Sequence, residues 1–207
     1  SQPEDAFPEI LEVDFNPVSG IQAQEYVALT NRSGFALDLS GWKLDGAVKF
    51  TFHPGTVLPS NSVVYVSPDV RQFRARTTGP RGGQGLFVVG PYSGQLSARG
   101  ETLTLLNPRG KTAHQLTYAG DPSAAQRGLR ITEIHFNPPA GPVGSSLPDE
   151  LEFLELRNLS PSESLDLAGI RFIDGVEFDF STSTVKRLDP GARLVIVANA
   201  SAFAARY

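Results

Sequence analysis

The sequence predicts an all-β fold made of two tandem β-sandwiches, the second incomplete at its C-terminal end. Two observations lead to this prediction. The 207 residues include 20 Gly and 16 Pro, a composition typical of many short strands joined by turns rather than of helices. The block Leu-Asp-Leu-x-Gly at 37–41 recurs at 165–169, which indicates that the chain is a repeat.

The repeat predicts the domain organisation. We expect a leader over residues 1–8, a first sandwich over 9–120, a linker over 121–129 and a second sandwich over 130–207. The second copy reaches residue 207 at about the equivalent of residue 76, so the counterparts of the last strands of the first copy are not found in it. A sandwich without those strands exposes an edge, unless strands are supplied in trans.

The first strands of each copy alternate between apolar and polar residues. Ile10–Phe15 predicts a strand with Leu11, Val13 and Phe15 on one face, and Ile131–Phe136 is its partner in the second copy. The next strands are predicted at 25–31 and 152–158. Their inward positions, which we assign to the core, are Val27, Leu29, Leu154 and Leu156.

The repeated block is followed by Asp45-Gly46 in one copy and Asp174-Gly175 in the other, each of which predicts a hairpin turn. Phe pairs at 50/52 and 178/180 then alternate with polar residues. The continuous apolar runs Val63–Val66 and Leu194–Val197 predict central strands buried on both faces. Short helices are expected at 70–76 and 200–206, and the first copy continues with strands at 86–89, 102–106 and 114–118. A helical turn is expected at 124–127, within the linker.

These motifs resemble the lamin tail domain family in its prokaryotic form. The second copy carries the opening pattern, at 131–138, 152–158, 165–169 and 174–175, and the first carries the closing pattern, at 93–97, 100–101, 103–105 and 107–110. Trp42 fits the aromatic position of the family, where the second copy has Ile170. The resemblance implies immunoglobulin-like β-sandwiches without catalytic activity.

The resemblance also implies a setting. Prokaryotic members typically sit in large exported or surface proteins beside nucleases, phosphoesterases and other β-sandwich modules. We therefore expect an extracellular or cell-surface location and a role in adhesion, spacing or protein–protein interaction. The expected partners are other domains of the same parent chain or cell-surface proteins. The sequence contains no Met, so we expect a processed or trimmed piece of a longer chain.

Composition excludes several classes of function. Without Cys there are no disulfides, thiolate metal sites or thiol nucleophiles. The net charge of −4 argues against a globally basic nucleic-acid binder. The sequence contains no apolar run long enough to predict a membrane-spanning helix. The serines lie in no nucleophile motif, and the three histidines are too scattered to predict a zinc site.

One cationic segment supports an alternative function. Arg71, Arg74, Arg76 and Arg81 follow one another without an intervening acid. Arginine binds phosphate in a bidentate manner, so this segment could contact a polyanion such as DNA or an anionic glycan. The chain would then be an accessory domain of a secreted enzyme. The simpler interpretation of the segment is a solvated loop.

Recurring carboxylates are the remaining candidates. Glutamates at strand positions, with His135 beside Glu133, could form a paired acid/base, a metal site or a hydrolytic site; they are Glu12, Glu25, Glu133, Glu152 and Glu155. Because Glu25 recurs as Glu152, a structural role is favoured, and we expect no catalytic residue and no cofactor. The cluster Asp149, Glu150 and Glu152, near Asn137, offers oxygen ligands suited to calcium, although it matches no EF-hand.

Overall fold

The structure, a computed structural model, describes residues 7–139 and 147–207. It divides into two compact units, Ser1–Asp121 and Pro122–Tyr207, called here the first and second unit. Strands dominate both units and the helices are short, which confirms the predicted all-β class. In the described residues, no helix is long and apolar enough to span a bilayer.

Two sheets make up the first unit. Its elements are β1 (Glu9–Asp14), β2 (Tyr26–Asn31), β3 (Leu37–Asp38), β4 (Lys43–Asp45), β5 (Val48–Thr51), β6 (Val57–Leu58), β7 (Ser62–Val66), α1 (Val70–Arg74), β8 (Phe87–Val89), β9 (Ser93–Gly94), β10 (Glu101–Leu106) and β11 (Thr112–Tyr118). Within residues 7–121, one sheet has the order β1-β2-β7-β8 and the other the order β11-β10-β4-β5-β9, while β3 pairs with β6. The β7–β8 pair is parallel.

The core of the first unit lies between the two sheets. Val27 and Leu29 of β2 are fully buried, as predicted, and they pack in one cluster with Leu44 of β4 and Leu103 of β10. Successive side chains of a strand point to opposite faces, so every second side chain of these strands lies in this cluster. Trp42, the one tryptophan of the sequence, is buried there too.

The first strand differs from its prediction. The pairing of β1 with β2 shifts between Ile10 and Glu12, so Leu11 forms a β-bulge. A bulge adds one residue to a strand and reverses the faces before and after it. Ile10 is therefore buried at 4% exposure, whereas Leu11 is 41% exposed. The prediction that Leu11 shares the inward face with Val13 and Phe15 was wrong, because simple alternation does not allow for a bulge.

The predicted hairpin after the first repeated block is confirmed. β4 and β5 pair antiparallel, with Leu44 opposite Phe50. Gly46 in the turn has φ of +138°, and a Cβ on it would lie 3.0 Å from the carbonyl oxygen of Thr102 in β10. Glycine is therefore required both by the backbone conformation and by the close approach of the neighbouring strand.

The second unit has fewer strands in its described part. Its elements are α2 (Ala124–Gly128), β12 (Leu129–His135), β13 (Phe153–Asn158), β14 (Leu165–Asp166), β15 (Arg171–Asp174), β16 (Val176–Asp179), β17 (Arg187–Leu188), β18 (Arg193–Val197) and α3 (Ala200–Arg206). Within 122–139 and 147–207, β12-β13-β18 form one sheet, and β14–β17 and β15–β16 form pairs. Leu156, Leu167 and Phe180 are central to its core.

Two expectations for the second unit differ from the structure. β18 was predicted to be buried on both faces, but Val195 is 43% exposed. The reason is that Val195 lies opposite Glu155, on the face of the sheet away from the core residues Leu154 and Ile196. The stretch 121–129, expected to be a linker with a helical turn at 124–127, contains that turn as α2, but α2 packs within the second unit through Gly128 against Leu165. The helices predicted at 70–76 and 200–206 are confirmed as α1 and α3.

Candidate functional site

The four arginines of the predicted polyanion segment do not form one group. Arg71 and Arg74 are exposed on α1, and Arg81 is exposed just before a short 3-10 helix at Gly82–Gln84. Arg76 is only 6% exposed. Arg76 follows the end of α1 and is directed into the first unit. The spacing of the arginines along the sequence did not reveal that this one is buried.

Arg76 is held inside the first unit by several partners. Its Nη2 donates to Asp14 Oδ2 at 2.8 Å, its Nε donates to the carbonyl of Pro80 at 2.9 Å, and its Nη1 donates to the carbonyl of Gln24. The guanidinium also lies 4.9 Å from the centroid of the Tyr26 ring. These contacts tie the loop after α1 to β1 and β2, so Arg76 is unavailable to a polyanion.

Glu25 is the most deeply buried carboxylate among the described residues, at 1% exposure. Tyr92 Oη donates to its Oε1 at 2.6 Å, the Leu96 N–H donates to the same oxygen at 3.2 Å, and Gln22 Nε2 donates to its Oε2. Burial raises the pKa of Glu25, and these hydrogen bonds oppose the rise. Burial and the bond to Glu25 likewise raise the pKa of Tyr92.

Glu25 therefore connects the start of β2 to the segment around β9. A carboxylate with a raised pKa can be a general base, but here both oxygens receive hydrogen bonds from the protein. Its counterpart Glu152 precedes β13 in the same way and is half-buried, with Oε1 accepting the Asn137 N–H at 3.2 Å. The structural role favoured by the repetition is consistent with this geometry.

Two of the other carboxylates have internal partners, whereas Glu133 is exposed and no partner of its side chain is found among the described residues. Tyr26 Oη donates to Glu12 at 2.7 Å. Glu155 Oε1 accepts from Thr132 Oγ1 at 2.6 Å and from Arg193 Nη1 at 2.7 Å. The hydrogen bond from Thr132, followed by the one from Arg193, lowers the pKa of Glu155. Glu155 is thus an ion-pair partner of Arg193 rather than a base with a raised pKa.

His135 lies apart from a catalytic constellation. Its ring stacks on Phe153 with centroids 4.9 Å apart, and its Nε2 is 3.2 Å from Tyr207 Oη. These contacts link β12 to β13 and to the end of α3. The histidine therefore belongs to an aromatic cluster on the outer face of the sheet, which also contains Phe203.

The acidic cluster after the first loop of the second unit is also hydrogen-bonded. Glu150 accepts from the Leu147 N–H at 2.9 Å and from Asn199 Nδ2 at 3.2 Å. No group of three metal-binding side chains occurs in the part of the chain that the structure describes. Residues 140–146 of the inserted loop lie outside the described residues, and calcium binding here stays a prediction.

Two asparagines that the sequence analysis did not identify have equivalent positions and equivalent hydrogen bonds in the two units. Asn31 ends β2 and Asn158 ends β13, and both are fully buried. Asn31 Nδ2 donates to the carbonyls of Phe35, Leu58 and Pro59 at 2.8 to 3.1 Å. Asn158 makes the equivalent three bonds, to the carbonyls of Glu163, Leu188 and Asp189. The signal was present, because both repeated strand motifs end in Asn.

A shallow groove of about 380 Å³ lies over the β15–β16 hairpin, lined partly by Phe172, Ile173 and Phe178. The other lining residues are the charged Arg171, Glu177 and Asp179, and the groove is open rather than the enclosed cleft typical of a small-molecule site. Ile173 is 74% exposed.

The comparisons with known proteins agree with the fold. No curated protein matches the chain. The family model of the Lamin Tail Domain matches residues 6–120, which is more than half of the 207 residues. This match spans all the strands of the first unit, from β1 to β11. The chain belongs to the lamin tail domain family, a family of immunoglobulin-like domains.

Proposed function

We propose that the chain consists of two lamin-tail-like modules in tandem, of prokaryotic type, within an exported or cell-surface protein. The modules would be non-catalytic and would serve adhesion, spacing or protein–protein contact. Other domains of the parent chain, or proteins of the cell surface, would be the partners. The family supports this role, because its members are immunoglobulin-like structural domains.

Three equivalent local features of the two units support the tandem arrangement. Asn31 and Asn158 make the same set of carbonyl contacts. The β-bulge at Leu11 in β1 has its counterpart at Thr132 in β12. The short helix after the third long strand begins in both units with a side-chain cap, from Asp69 in one and Asn199 in the other.

The absence of catalysis is supported chiefly by one observation: the candidate polar groups are engaged inside the protein. Glu25 receives hydrogen bonds from Tyr92 and Leu96, and Glu155 receives them from Thr132 and Arg193. A general base needs a free lone pair directed at a substrate. Binding and spacing need only a stable surface.

Hydrolytic assays test this proposal. The purified chain would be incubated with chromogenic phosphodiester, ester, glycoside and peptide substrates, with and without calcium. We expect turnover no greater than in buffer, and no difference between the chain and its Glu155→Gln or His135→Ala variants. Turnover that either substitution abolishes would overturn the non-catalytic role.

A second candidate function is binding of a polyanion, such as DNA or an anionic glycan. It is favoured by the exposure of Arg71, Arg74 and Arg81 at one end of the first unit. Among the described residues, no ion pair to these three arginines is found. Arg76 takes no part in this version of the site, because it is buried.

Salt-dependent binding distinguishes the two functions. A chain in which Arg71, Arg74 and Arg81 are replaced by Ala would be compared with a control lacking Lys43, Lys111 and Arg187, which are exposed elsewhere. Polyanion binding predicts affinity that falls steeply with salt and a slope reduced by about one for each contacting arginine removed. Equal binding by both variants, or no binding at low salt, would exclude this function.

A further inference from the structure

Three arginines lie side by side on the outer face of the main sheet of the second unit. Arg130 of β12 lies directly opposite Arg157 of β13, which in turn lies directly opposite Arg193 of β18. Directly opposed residues project to the same face of a sheet, with Cβ atoms about 5 Å apart. The neighbouring pair, Leu156 and Leu194, packs in the core, so the arginines point away from it. We call Arg130, Arg157 and Arg193 the arginine row.

The first unit has no arginine at the equivalent positions. Counted back from the asparagine that ends each second strand, these positions hold Glu9 of β1, Thr30 of β2 and Val63 of β7, which lie opposite one another in the same order. Glu9 forms an ion pair with Arg32, with 3.4 Å between Oε2 and Nε. The same sheet therefore forms with an acidic, a hydroxyl and an apolar side chain in this row, and the fold does not require three arginines there.

The carboxylates beside the arginine row offset only part of its charge. Glu155 Oε1 accepts from Arg193 Nη1 at 2.7 Å, and the exposed Glu133 lies opposite Glu155. Arg130 Nη1 donates to two backbone carbonyls, which leaves the charge of Arg130 in place. Within residues 7–139 and 147–207, no ion pair to Arg130 or Arg157 is found. Three arginines beside two glutamates leave an excess of positive charge.

Arg157, at the centre of the row, carries a donor without an acceptor. Its Nε is buried and has no hydrogen-bond partner among the described residues. Such groups are rare in native proteins, because a desolvated donor without a partner costs free energy. Rotation of the side chain toward solvent would let Nε and one Nη donate together to a single anion. Arg157 is therefore the arginine that an incoming anion would engage.

The position of the row keeps it accessible when further strands join the sandwich. A second sheet packs on the opposite side, against the core. In the first unit β8 pairs with β7 along its edge, with Phe87 opposite Val64. A strand added to β18 in this way lies beside Arg193, in the plane of the sheet, and does not cover the outer face at Arg130 and Arg157.

These features fit a phosphate group. A phosphate monoester carries about −1.5 to −2 charges at pH 7 and has three strong acceptor oxygens. Guanidinium groups bind oxyanions in a bidentate manner, and arginines whose Cβ atoms are about 5 Å apart can donate to one tetrahedral group from two sides. A carboxylate has a single charge and two oxygens, which one arginine fork already satisfies.

The surroundings of the row indicate how the phosphate is carried. The row lies on an open sheet face, where a free ion would keep its water on the outer side. Glu133 and Glu155 flank the row on one side and repel further anionic groups there, which disfavours the broad phosphate surface of a duplex. We propose that the arginine row binds a phosphate monoester group carried by a partner molecule. This inference goes beyond the proposed function and does not depend on it.

Phenyl phosphate is a suitable probe, because its ring is a small carrier that can stack on a neighbouring guanidinium. The isotope-labelled chain of 207 residues would be titrated at constant ionic strength, since salt screens exposed charges. NMR would follow the Nε–Hε signals of the arginines and the backbone amides of 129–135, 153–158 and 193–197. We expect the Arg157 signal and these amides to shift saturably, with a Kd of about 1 mM.

Two results of this titration would overturn the proposal. The first is the absence of a saturable shift at 129–135, 153–158 and 193–197 up to about 20 mM phenyl phosphate. The second is a saturable shift confined to residues 7–121, which would place the binding on the arginines of the first unit.

Substitutions in the row test the role of the central arginine. Arg157→Thr introduces the residue found at Thr30 in the first unit and should weaken binding at least about tenfold. Arg157→Lys keeps the charge but loses the fork, and we expect binding about threefold weaker. Arg187→Ala is the matched control, because it removes an exposed arginine of β17 in the same unit, and it should leave the Kd unchanged. Equal affinity of Arg157→Thr and the parent chain would contradict the proposal.

Folding of the variants is checked by their backbone amide spectra, which should match that of the parent chain outside the row. If Arg157→Thr does not fold, Arg130→Glu takes its place, because Glu9 holds this position in the first unit. We expect Arg130→Glu to weaken binding of phenyl phosphate at least about tenfold, and unchanged binding would again contradict the proposal.

Three further ligands test the chemistry of the group. Phenyl sulfate, which is tetrahedral with a single charge, should bind at least about threefold more weakly than phenyl phosphate, and benzoate at least about tenfold more weakly. Benzoate binding equal to that of phenyl phosphate would show that the row recognises negative charge alone. Inorganic phosphate lacks the stacking ring and should bind about threefold more weakly. Equal or tighter binding of inorganic phosphate would assign the row to the free ion. Either result would overturn a phosphate carried by a partner.

Discussion

Tyr92 donates its phenolic hydrogen to Glu25 Oε1 at 2.6 Å and thereby joins the start of β2 to the segment that leads into β9. The Leu96 N–H strengthens the same junction. In the second unit the corresponding carboxylate, Glu152, is half-buried and receives only the Asn137 N–H at Oε1. The same position of the repeat is therefore buried with three donors in the first unit and half-buried with one donor in the described part of the second.

The buried Glu25 predicts a pH dependence of the first unit. Burial raises its pKa above the unfolded value of 4.5, so the folded state binds a proton that the unfolded state releases. The free energy of unfolding should therefore fall as pH rises from 4.5 through the raised pKa. Glu25→Gln cannot ionise and should remove this part of the slope.

Urea denaturation followed by Trp42 fluorescence measures this effect, because the single tryptophan lies in the core of the first unit. The control is Glu9→Gln, which removes a half-exposed carboxylate of β1 and should leave the slope in place. An unchanged slope in Glu25→Gln would show that Glu25 is not the group responsible.

Asn31 predicts a large stability effect at a position without a binding role. Asn31→Ala leaves the carbonyls of Leu58 and Pro59 without their donor, and we expect a loss of about 2–3 kcal/mol in the free energy of unfolding. Gln115→Ala, on the exposed side of β11, should change it by less than about 0.5 kcal/mol. Urea denaturation with Trp42 fluorescence checks both, and equal effects would contradict the prediction.

The same substitution can be made in the second unit. Asn158→Ala removes the donor to Leu188 and Asp189 and should destabilise the sheet by a similar amount, about 2–3 kcal/mol. Amide hydrogen exchange of β13 and β18 measures this. Protection equal to that of the parent chain would mean that the two asparagines do not have the same role.

Substitutions of Arg76 and Arg74 should distinguish a buried, structural arginine from an exposed one. Arg76→Ala breaks a buried ion pair with Asp14 and leaves the Pro80 carbonyl unpaired, so we expect a loss of about 3 kcal/mol in stability. Arg74→Ala removes an exposed charge and should alter stability by less than about 0.5 kcal/mol. Thermal or urea unfolding distinguishes the two variants, and the reverse order would refute the placement of Arg76.

Glu155 predicts the opposite pH dependence for the second unit. Thr132 and Arg193 lower its pKa below 4.5, so its contribution to stability is complete above pH 4.5 and is lost as pH falls through the lowered pKa. Glu155→Gln should flatten this loss. Hydrogen exchange of β12 and β13 between pH 5 and acid would measure it, and an unchanged profile would assign the loss to other carboxylates.

Much of the architecture could be predicted because its signals are local. Alternation located β2 and β13, and the Asp45-Gly46 turn located the β4–β5 hairpin. The bulge at Leu11 could not be predicted, since it depends on pairing with β2 rather than on the residues of β1. The exposure of Val195 likewise depends on what packs against the face of the sheet away from the core, which the residues of β18 do not encode.

The candidate sites were harder to predict than the strands. The sequence shows four arginines close together. The burial of Arg76, however, depends on contacts with Asp14 and Gln24, which lie far away in the chain. The Tyr92–Glu25 contact also joins distant segments. Side-chain function here is set by tertiary packing, which spacing along the chain does not encode.

The central claim is that the second unit follows the plan of the first, so that a hairpin like β10–β11 joined to its end would pack on β12 and β15. Hydrogen exchange of a chain extended after Tyr207 by a second copy of residues 78–120 tests it most directly. The account predicts that exchange at 129–136 and 171–174 slows by at least about tenfold, and that Ser at the copied positions of Leu103 and Leu105 abolishes the slowing. Unchanged exchange in these strands would contradict it.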